Sequence, residues 1–394
     1  MNPGRAALLI VDDNEDNRYT LTRRLKREGY TNLTTANDGR QALELLQSQA
    51  FDLMLLDIMM PEVNGYQVLE QLKAGGKLRD LPVIMISALD EIESVIRCVE
   101  LGAEDYLAKP FNPTLLRARV GASLEKKRLR DAVRASLERL EQELDAARTL
   151  QLGMLPGTFP SWSAEQPVEV CALMDPAKEV GGDLYDFFDA GDGVFCFLVG
   201  DVSGKGAPAA MFMARARSLV RMAVALWGRL GAERASPAGI AETVNRELCQ
   251  NNRDRMFVTV FLGFLDMKTG VITYVNAGHL GPHILRGSGE IEQTTGRPEV
   301  PLAVRPGSSY QNRTLTLQPG DGVFVCTDGV IEAMSETEEF YSSARLEADL
   351  RASCTRTPEE MVRAIKDRID AFTGQALKAD DVTMLALRWM PAQA

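Results

Sequence analysis

From Phe195 to Arg217 the chain reads Phe-Cys-Phe-Leu-Val-Gly-Asp-Val-Ser-Gly-Lys-Gly-Ala-Pro-Ala-Ala-Met-Phe-Met-Ala-Arg-Ala-Arg. The apolar run Phe195 to Val199 predicts a buried strand, which Gly200 and Asp201 end. Gly204 and Gly206 permit a tight turn, and Pro208 suits the first turn of the alanine-rich helix that follows. Asp201 is thereby delivered to the end of a core strand. A charge there needs a partner, and a bound cation is the obvious one. An aspartate in an exposed turn would read the same way in isolation, but the pattern recurs along the chain.

The length of 394 residues predicts two or three domains. With 45% hydrophobic and 25% charged residues the composition is that of a soluble globular protein. A net charge of −11 argues against a nucleic-acid partner. No apolar run reaches membrane-spanning length and the first residues lead straight into a strand, so a cytoplasmic protein without membrane contact is expected. Cys98, Cys171, Cys196, Cys249, Cys326 and Cys354 lack paired spacing and read as reduced thiols. His279 and His283 are the two histidines, which excludes a histidine-rich metal site; any such site must use oxygen ligands.

In the first third, apolar runs stop at polar residues: Ala6 to Val11 at Asp12-Asp13, Leu53 to Leu56 at Asp57, Val83 to Ile86 at Ser87, and Tyr106 to Ala108 at Lys109-Pro110. Helix-like segments intervene at Glu15 to Glu28, Gly39 to Gln49, Gly65 to Ala74, Asp90 to Glu100 and Asn112 to Ser123. Strand alternating with helix predicts a parallel, doubly wound α/β sheet, with its ligand site beyond the carboxyl ends of the strands. Three carboxylates, an ammonium and a hydroxyl on that edge suit a hard cation and a phosphoryl group. These residues resemble a response-regulator receiver domain over 1–123, with a flavodoxin-like (CheY-like) fold. The resemblance implies that Asp57 is the phosphoacceptor and that Asp12, Asp13, Asp57 and the Met59 carbonyl hold Mg²⁺. It further implies that Ser87 and Lys109 grip the phosphoryl oxygens, that Tyr106 swings inward on activation, and that Lys109-Pro110 is a cis step.

Leu124 to Gln151 contains no Pro or Gly, and 13 of its 28 residues are charged. Val133, Leu137, Leu140, Leu144 and Ala147 alternate spacings of four and three, which predicts a coiled-coil linker over 124–152 and a homodimer through linker and receiver. A solvated connector helix would share that composition. Gly153 to Pro156 are expected to end it.

Beyond residue 153, aspartates again mark strand ends: Asp183 in Val-Gly-Gly-Asp, Asp201, Asp328 in Cys-Thr-Asp-Gly, and Asp380-Asp381 ahead of Val-Thr-Met-Leu-Ala-Leu. A hairpin is predicted from Phe257 to Leu265 and Val271 to Asn276, and helices at Met211 to Leu230, Pro237 to Gln250 and Pro358 to Phe372. Hairpins outnumber βαβ units, so an antiparallel β-sandwich with helices outside is expected. Aspartate-only ligation selects Mg²⁺ or Mn²⁺, and repulsion among the carboxylates calls for two ions, which would let water attack phosphorus without a side-chain nucleophile. Asp192-Gly193 and Asp321-Gly322 read as plain turns. Gly200 to Lys205 is not a P-loop: it has three residues between its glycines, and Gly206 stands where Ser or Thr belongs.

The segment 153–394 resembles the metal-dependent PPM-class serine/threonine phosphatases of the SpoIIE type. The resemblance implies that Asp201 bridges two Mg²⁺ or Mn²⁺ ions, that Asp183 and the Val202 carbonyl serve one, and that Asp328 and Asp380 serve the other, with Asp381 the neighbouring candidate. The Asn276-Ala277-Gly278-His279 run also matches. Leu280-Gly281-Pro282 after it and Phe340-Tyr341 depart from the family pattern. Together the two halves imply a response regulator phosphorylated on Asp57 by a sensor histidine kinase or phosphotransfer protein. Its output would be dephosphorylation of Ser or Thr on an anti-sigma-factor antagonist. The rival of the same architecture is a catalytically silent adaptor engaging a sigma factor or its regulator. Such an adaptor is expected to have lost metal aspartates, whereas all four positions are kept here.

Overall fold

The computed structural model describes residues 3–87, 92–160, 163, 167–229, 236–294 and 296–390. The start of the helix read from Asp90 and the end of the helix read to Leu230 lie outside the described residues. The chain divides into two units, Met1–Glu141 and Gln142–Ala394. No helix among the described residues is long and apolar enough to cross a membrane.

The first unit runs β1 (Ala7–Val11), α1 (Glu15–Arg27), β2 (Asn32–Ala36), α2 (Gly39–Ser48), β3 (Leu53–Asp57), α3 (Gly65–Ala74), β4 (Val83–Ser87), α4 (Ile92–Leu101), β5 (Asp105–Ala108) and α5 (Pro113–Met154). The strands form one parallel sheet in the order β2-β1-β3-β4-β5. Helices cover both faces, so β3 and β4 are buried throughout, as their continuous apolar runs require. The edge strand β2 escapes a periodicity reading because Asn-Leu-Thr-Thr-Ala carries two apolar residues and needs no more at an edge. The helix after Asn112 and the expected linker helix are one element, α5, which is 42 residues long. Gly121 and Gly153 lie inside it without breaking it, since an interior glycine costs only about 1 kcal/mol and the proline, Pro113, sits at the start. Within the first unit, Lys126 and Arg130 pair with Glu104, and Arg134 with Asp80.

The second unit continues β6 (Val168–Asp175), β7 (Leu184–Gly191), β8 (Val194–Val202), α6 (Ala207–Arg229), α7 (Pro237–Cys249), β9 (Val258–Asp266), β10 (Val271–Ala277), β11 (His283–Leu285), β12 (Ile291–Gln293), β13 (Arg313–Thr316), β14 (Gly322–Cys326), α8 (Asp328–Ile331), α9 (Ser342–Arg351), α10 (Pro358–Thr373) and β15 (Val382–Trp389). Two antiparallel sheets result, β13-β10-β9-β8-β7 and β12-β11-β14-β15-β6. Their inner faces meet in a core that includes Phe195, Phe197, Phe261, Leu385 and Trp389. Helices α6 and α7 cover the outer face of the first sheet, while α9 and α10 cover that of the second. The β7–β8 hairpin turns at Asp192 and Gly193, both at positive φ. Asp321 is no plain turn residue. It closes a turn through its own N–H to the Gln318 carbonyl at 2.9 Å, but its buried carboxylate also accepts from Arg286 Nη1 at 2.8 Å, Gly287 N at 2.8 Å and Gln318 N at 2.9 Å.

Candidate active site

Parallel pairing places the carboxyl ends of β1, β3, β4 and β5 side by side, so Asp12, Asp13, Asp57, Ser87 and Lys109 share one edge. Oxygens of Asp12, Asp13 and Asp57 lie within 4.8 Å of one another. Lys109 Nζ is 2.9 Å from both Asp12 Oδ2 and Asp57 Oδ2. Burial, opposed by the hydrogen bond from Lys109, holds the Asp57 carboxyl above its ordinary range. Lys109 moves up as well: burial would lower it, but the bonds to Asp12 and Asp57 outweigh burial. The acid loop is tied by Asn14 N and Asn17 Nδ2, each 3.0 Å from Asp12 Oδ1, and by Arg18, which reaches the Asp12 carbonyl at 2.7 Å. Sequence reading missed Asn14, Asn17 and Arg18; their signal is that they sit on the first turn after the acidic pair. Gly65 packs so tightly that a Cβ would fall 2.2 Å from the Asp57 carbonyl. Ser87 is buried at the end of β4, Tyr106 is half-buried on β5, Met59 is exposed, and the Lys109-Pro110 bond is cis.

The second unit reaches a similar result by antiparallel register. Leu184 pairs with Gly200, which puts Asp183, just before β7, beside Asp201 near the end of β8. Cys326 pairs with Met384, which puts Asp328, just past β14, beside Asp380 and Asp381, just before β15. Because the two sheets stack, both pairs meet at one end of the sandwich. Strand β8 runs on to Val202, so Asp201 lies inside the strand. Asp201 feels Asp328, Asp380 and Asp381, and Asp183 feels Asp201 and Asp381. Burial first, and this mutual repulsion second, hold the Asp183 carboxyl well above its ordinary range and push Asp201 up to about 7. Asp328 is raised by burial and then by Asp380.

The two members of the Asp380-Asp381 pair differ. Asp381 is buried and accepts Ala177 N at 2.8 Å on one oxygen and Gly182 N at 2.7 Å on the other. Asp380 is partly exposed and pairs with Lys205 at 2.9 Å. A Cβ on Gly181 would lie 2.5 Å from Asp381 Oδ2, and one on Gly329 would lie 1.9 Å from the Asp381 carbonyl, so both motif glycines are set by close approach. Three more groups escaped the sequence reading. Thr327 Oγ1 donates to Asp183 Oδ2 at 2.8 Å. Gln151, buried near the end of α5, brackets Gly181, with Nε2 2.6 Å from its carbonyl and Oε1 accepting its N–H at 3.1 Å. Lys205 is the third. Thr327 was legible as a polar residue next to an aspartate at a strand end, but nothing local marks Gln151. His279 is buried, with Nδ1 3.0 Å from Thr259 Oγ1, and burial lowers its pKa to about 4.

Whether these residues fit divalent ions can be asked of the geometry. Both clusters are built from carboxylate oxygens, the donor set of Mg²⁺ and Mn²⁺. Among the described residues no three aspartates of the second cluster meet within the 4.8 Å of the first, although Asp328, Asp380 and Asp381 each raise the Asp201 carboxyl.

The family model for Stage II sporulation protein E (SpoIIE) matches residues 191–390, half of the chain. The chain belongs to the SpoIIE family. A response regulator receiver domain matches residues 8–121 in front of the SpoIIE region. Protein IcfG of Synechocystis sp. is 29% identical over 272 residues, which cover 62% of this chain and 41% of that protein. The probable transcriptional regulator ycf27 of Cyanidium caldarium is 40% identical over 125 residues, 32% of this chain and 49% of that one. The chain thus spans about half or less of the length of these curated relatives. Among solved structures, the SiaA-PP2C domain of Pseudomonas aeruginosa superposes with a TM-score of 0.55 at 20% identity, covering 65% of this chain and 99% of that one, which shows the fold. A receiver domain is therefore fused to a SpoIIE-type phosphatase domain, from a family that implies a protein phosphatase.

Proposed function

We propose that this chain is a response regulator whose output is metal-dependent dephosphorylation of phosphoserine or phosphothreonine in a partner protein. Its parts would be a receiver over 1–123, a helical connector over 124–152 and a phosphatase over 153–394. The observation that carries the reading is the convergence of Asp183, Asp201, Asp328 and Asp380 at one end of the sandwich, where burial and neighbouring carboxylates hold the first three above their ordinary range. Asp201 would lie between two Mg²⁺ or Mn²⁺ ions, with Asp183 and the Val202 carbonyl on one side and Asp328 and Asp380 on the other. Asp381, with both oxygens taken by backbone N–H groups, would brace the Ala177–Gly182 loop. The ions would polarise the phosphoryl group and acidify water beside it. Attack of that water on phosphorus breaks the bond to the serine or threonine oxygen and yields inorganic phosphate.

In the receiver, Asp12, Asp13, Asp57 and the Met59 carbonyl would hold Mg²⁺, and Lys109 and Ser87 would receive the phosphoryl oxygens delivered to Asp57 by a histidine kinase or phosphotransfer protein. Tyr106 would follow Ser87 in the switch. Val133, Leu137 and Leu140 are exposed on α5, which supports a homodimer through the connector. The partner substrate would be an anti-sigma-factor antagonist. Phosphate release from a serine-phosphorylated antagonist protein in Mn²⁺, compared between the chain and Asp201→Asn, tests the reading. Turnover that vanishes in the variant supports it, and equal near-zero rates would favour the silent adaptor.

A further inference from the structure

Lys205 stands between Gly204 and Gly206, both at positive φ, in the turn that joins β8 to α6. Its Nζ is 2.9 Å from Asp380 Oδ2 and also donates to the Ala379 carbonyl. Among the described residues, no other lysine or arginine forms an ion pair with Asp183, Asp201, Asp328, Asp380 or Asp381. Both partners are more than a third exposed, at 36% and 37%, so the pair does little for stability. Its electrostatic effect on the cluster is larger. An ammonium touching one oxygen of a carboxylate opposes any second cation brought to that carboxylate.

We infer that Lys205 is a tethered competitor for Asp380 and sets the affinity of the Asp328–Asp380 side of the site for a divalent ion. This rests on the reading of these aspartates as metal ligands. Lys205 hangs from the same strand end as Asp201, and its glycine-flanked turn lets the ammonium leave without disturbing the strand. Occupancy of that side is then conditional on where Lys205 points, whereas among the described residues the Asp183 side carries no such competitor. Lys205 is a positioning residue in this account, since it acts through Asp380.

The test titrates Mn²⁺ into the full chain carrying Asp13→Asn, which disables the receiver's acidic cluster, and follows free Mn²⁺ by electron paramagnetic resonance. In that background Lys205→Met is expected to bind its weaker Mn²⁺ about ten-fold more tightly than the parent, by Coulomb's law for one removed charge. Lys205→Arg, which keeps the charge, should stay within about two-fold of the parent. A purely structural role for Lys205 would give the opposite sign, because loss of a support weakens binding. Unchanged or weaker binding in Lys205→Met would overturn the inference while leaving the metal reading intact. If the parent binds no more Mn²⁺ than an Asp201→Asn control, the metal reading fails and the inference falls with it. Should Lys205→Met fail to fold by circular dichroism, Lys205→Gln gives the same readout.

Discussion

The two acidic clusters of this chain solve the same electrostatic problem with different counter-charges. In the receiver, Lys109 bridges Asp12 and Asp57 at 2.9 Å from each, so part of the negative charge is neutralised by the protein itself. In the phosphatase domain the described cation in contact is Lys205, which touches one aspartate at the rim and leaves Asp183 and Asp201 facing each other. On the proposed function the first arrangement would suit capture of a phosphoryl group on a side chain, with a fixed ammonium ready for its oxygens. On the same proposal the second would suit turnover, because carboxylates left without a bridging ammonium would hold divalent ions and leave water, not a side chain, to meet phosphorus.

The sharpest way to break this contrast is Asp201→Asn. If the carboxylates act as one unit, phosphate release should fall by about 10³-fold or more, in line with removal of a central electrostatic group. A loss under ten-fold in a steady-state assay would put the chemistry elsewhere. Next in size is the switch. The phosphoryl mimic beryllofluoride should change the phosphatase rate of the chain, and Asp57→Ala should abolish that change. An equal response in both versions would disconnect the receiver from its output.

The third test uses pH. The Asp201 carboxyl sits at about 7 in the folded chain against an ordinary 3.8. A group raised in this way contributes most when protonated, below its ordinary value, and loses that contribution as pH rises through about 7. Metal-free protein should therefore lose about 1.4 kcal/mol and melt about 3–5 °C lower at pH 8 than at pH 6, and Asp201→Asn should remove most of the difference. A melting temperature that rises across this window would contradict the assigned burial. The smallest effect is expected from Thr327→Val, which deletes the hydroxyl donor to Asp183 Oδ2. Its cost should be about 1–3 kcal/mol in chemical unfolding, and a neutral result would mean that Asp183 finds another donor.

Legibility followed chemistry more than geometry. Asp12, Asp57, Asp201, Asp328 and Asp380 could be picked out because each follows or precedes an apolar run that must become a strand, whereas Asp183 stood out through its resemblance to a family motif. The sheet classes followed from whether helices or turns separate those runs. The edge strand β2 and the continuity of α5 were not legible. Neighbours supply the first with its burial, and a glycine inside a helix is tolerated at modest cost. Asp321 read only as a turn residue because local sequence cannot show Arg286 arriving from 35 positions earlier to bind its carboxylate.

By itself, then, the order of residues determined where the acids lie along the strands, and so the oxygen-only chemistry of both sites. The tertiary structure alone decided which acids face one another. Antiparallel register joins Asp183 to Asp201 and Asp328 to the Asp380-Asp381 pair, and sheet stacking brings the two sets together. It also separated Asp380 from Asp381, adjacent and identical in type, by giving one a lysine and the other two backbone N–H groups. The reason is physical: a side chain's charge state and role depend on what surrounds it in space, and partners 199 and 204 positions away leave no trace in the local pattern.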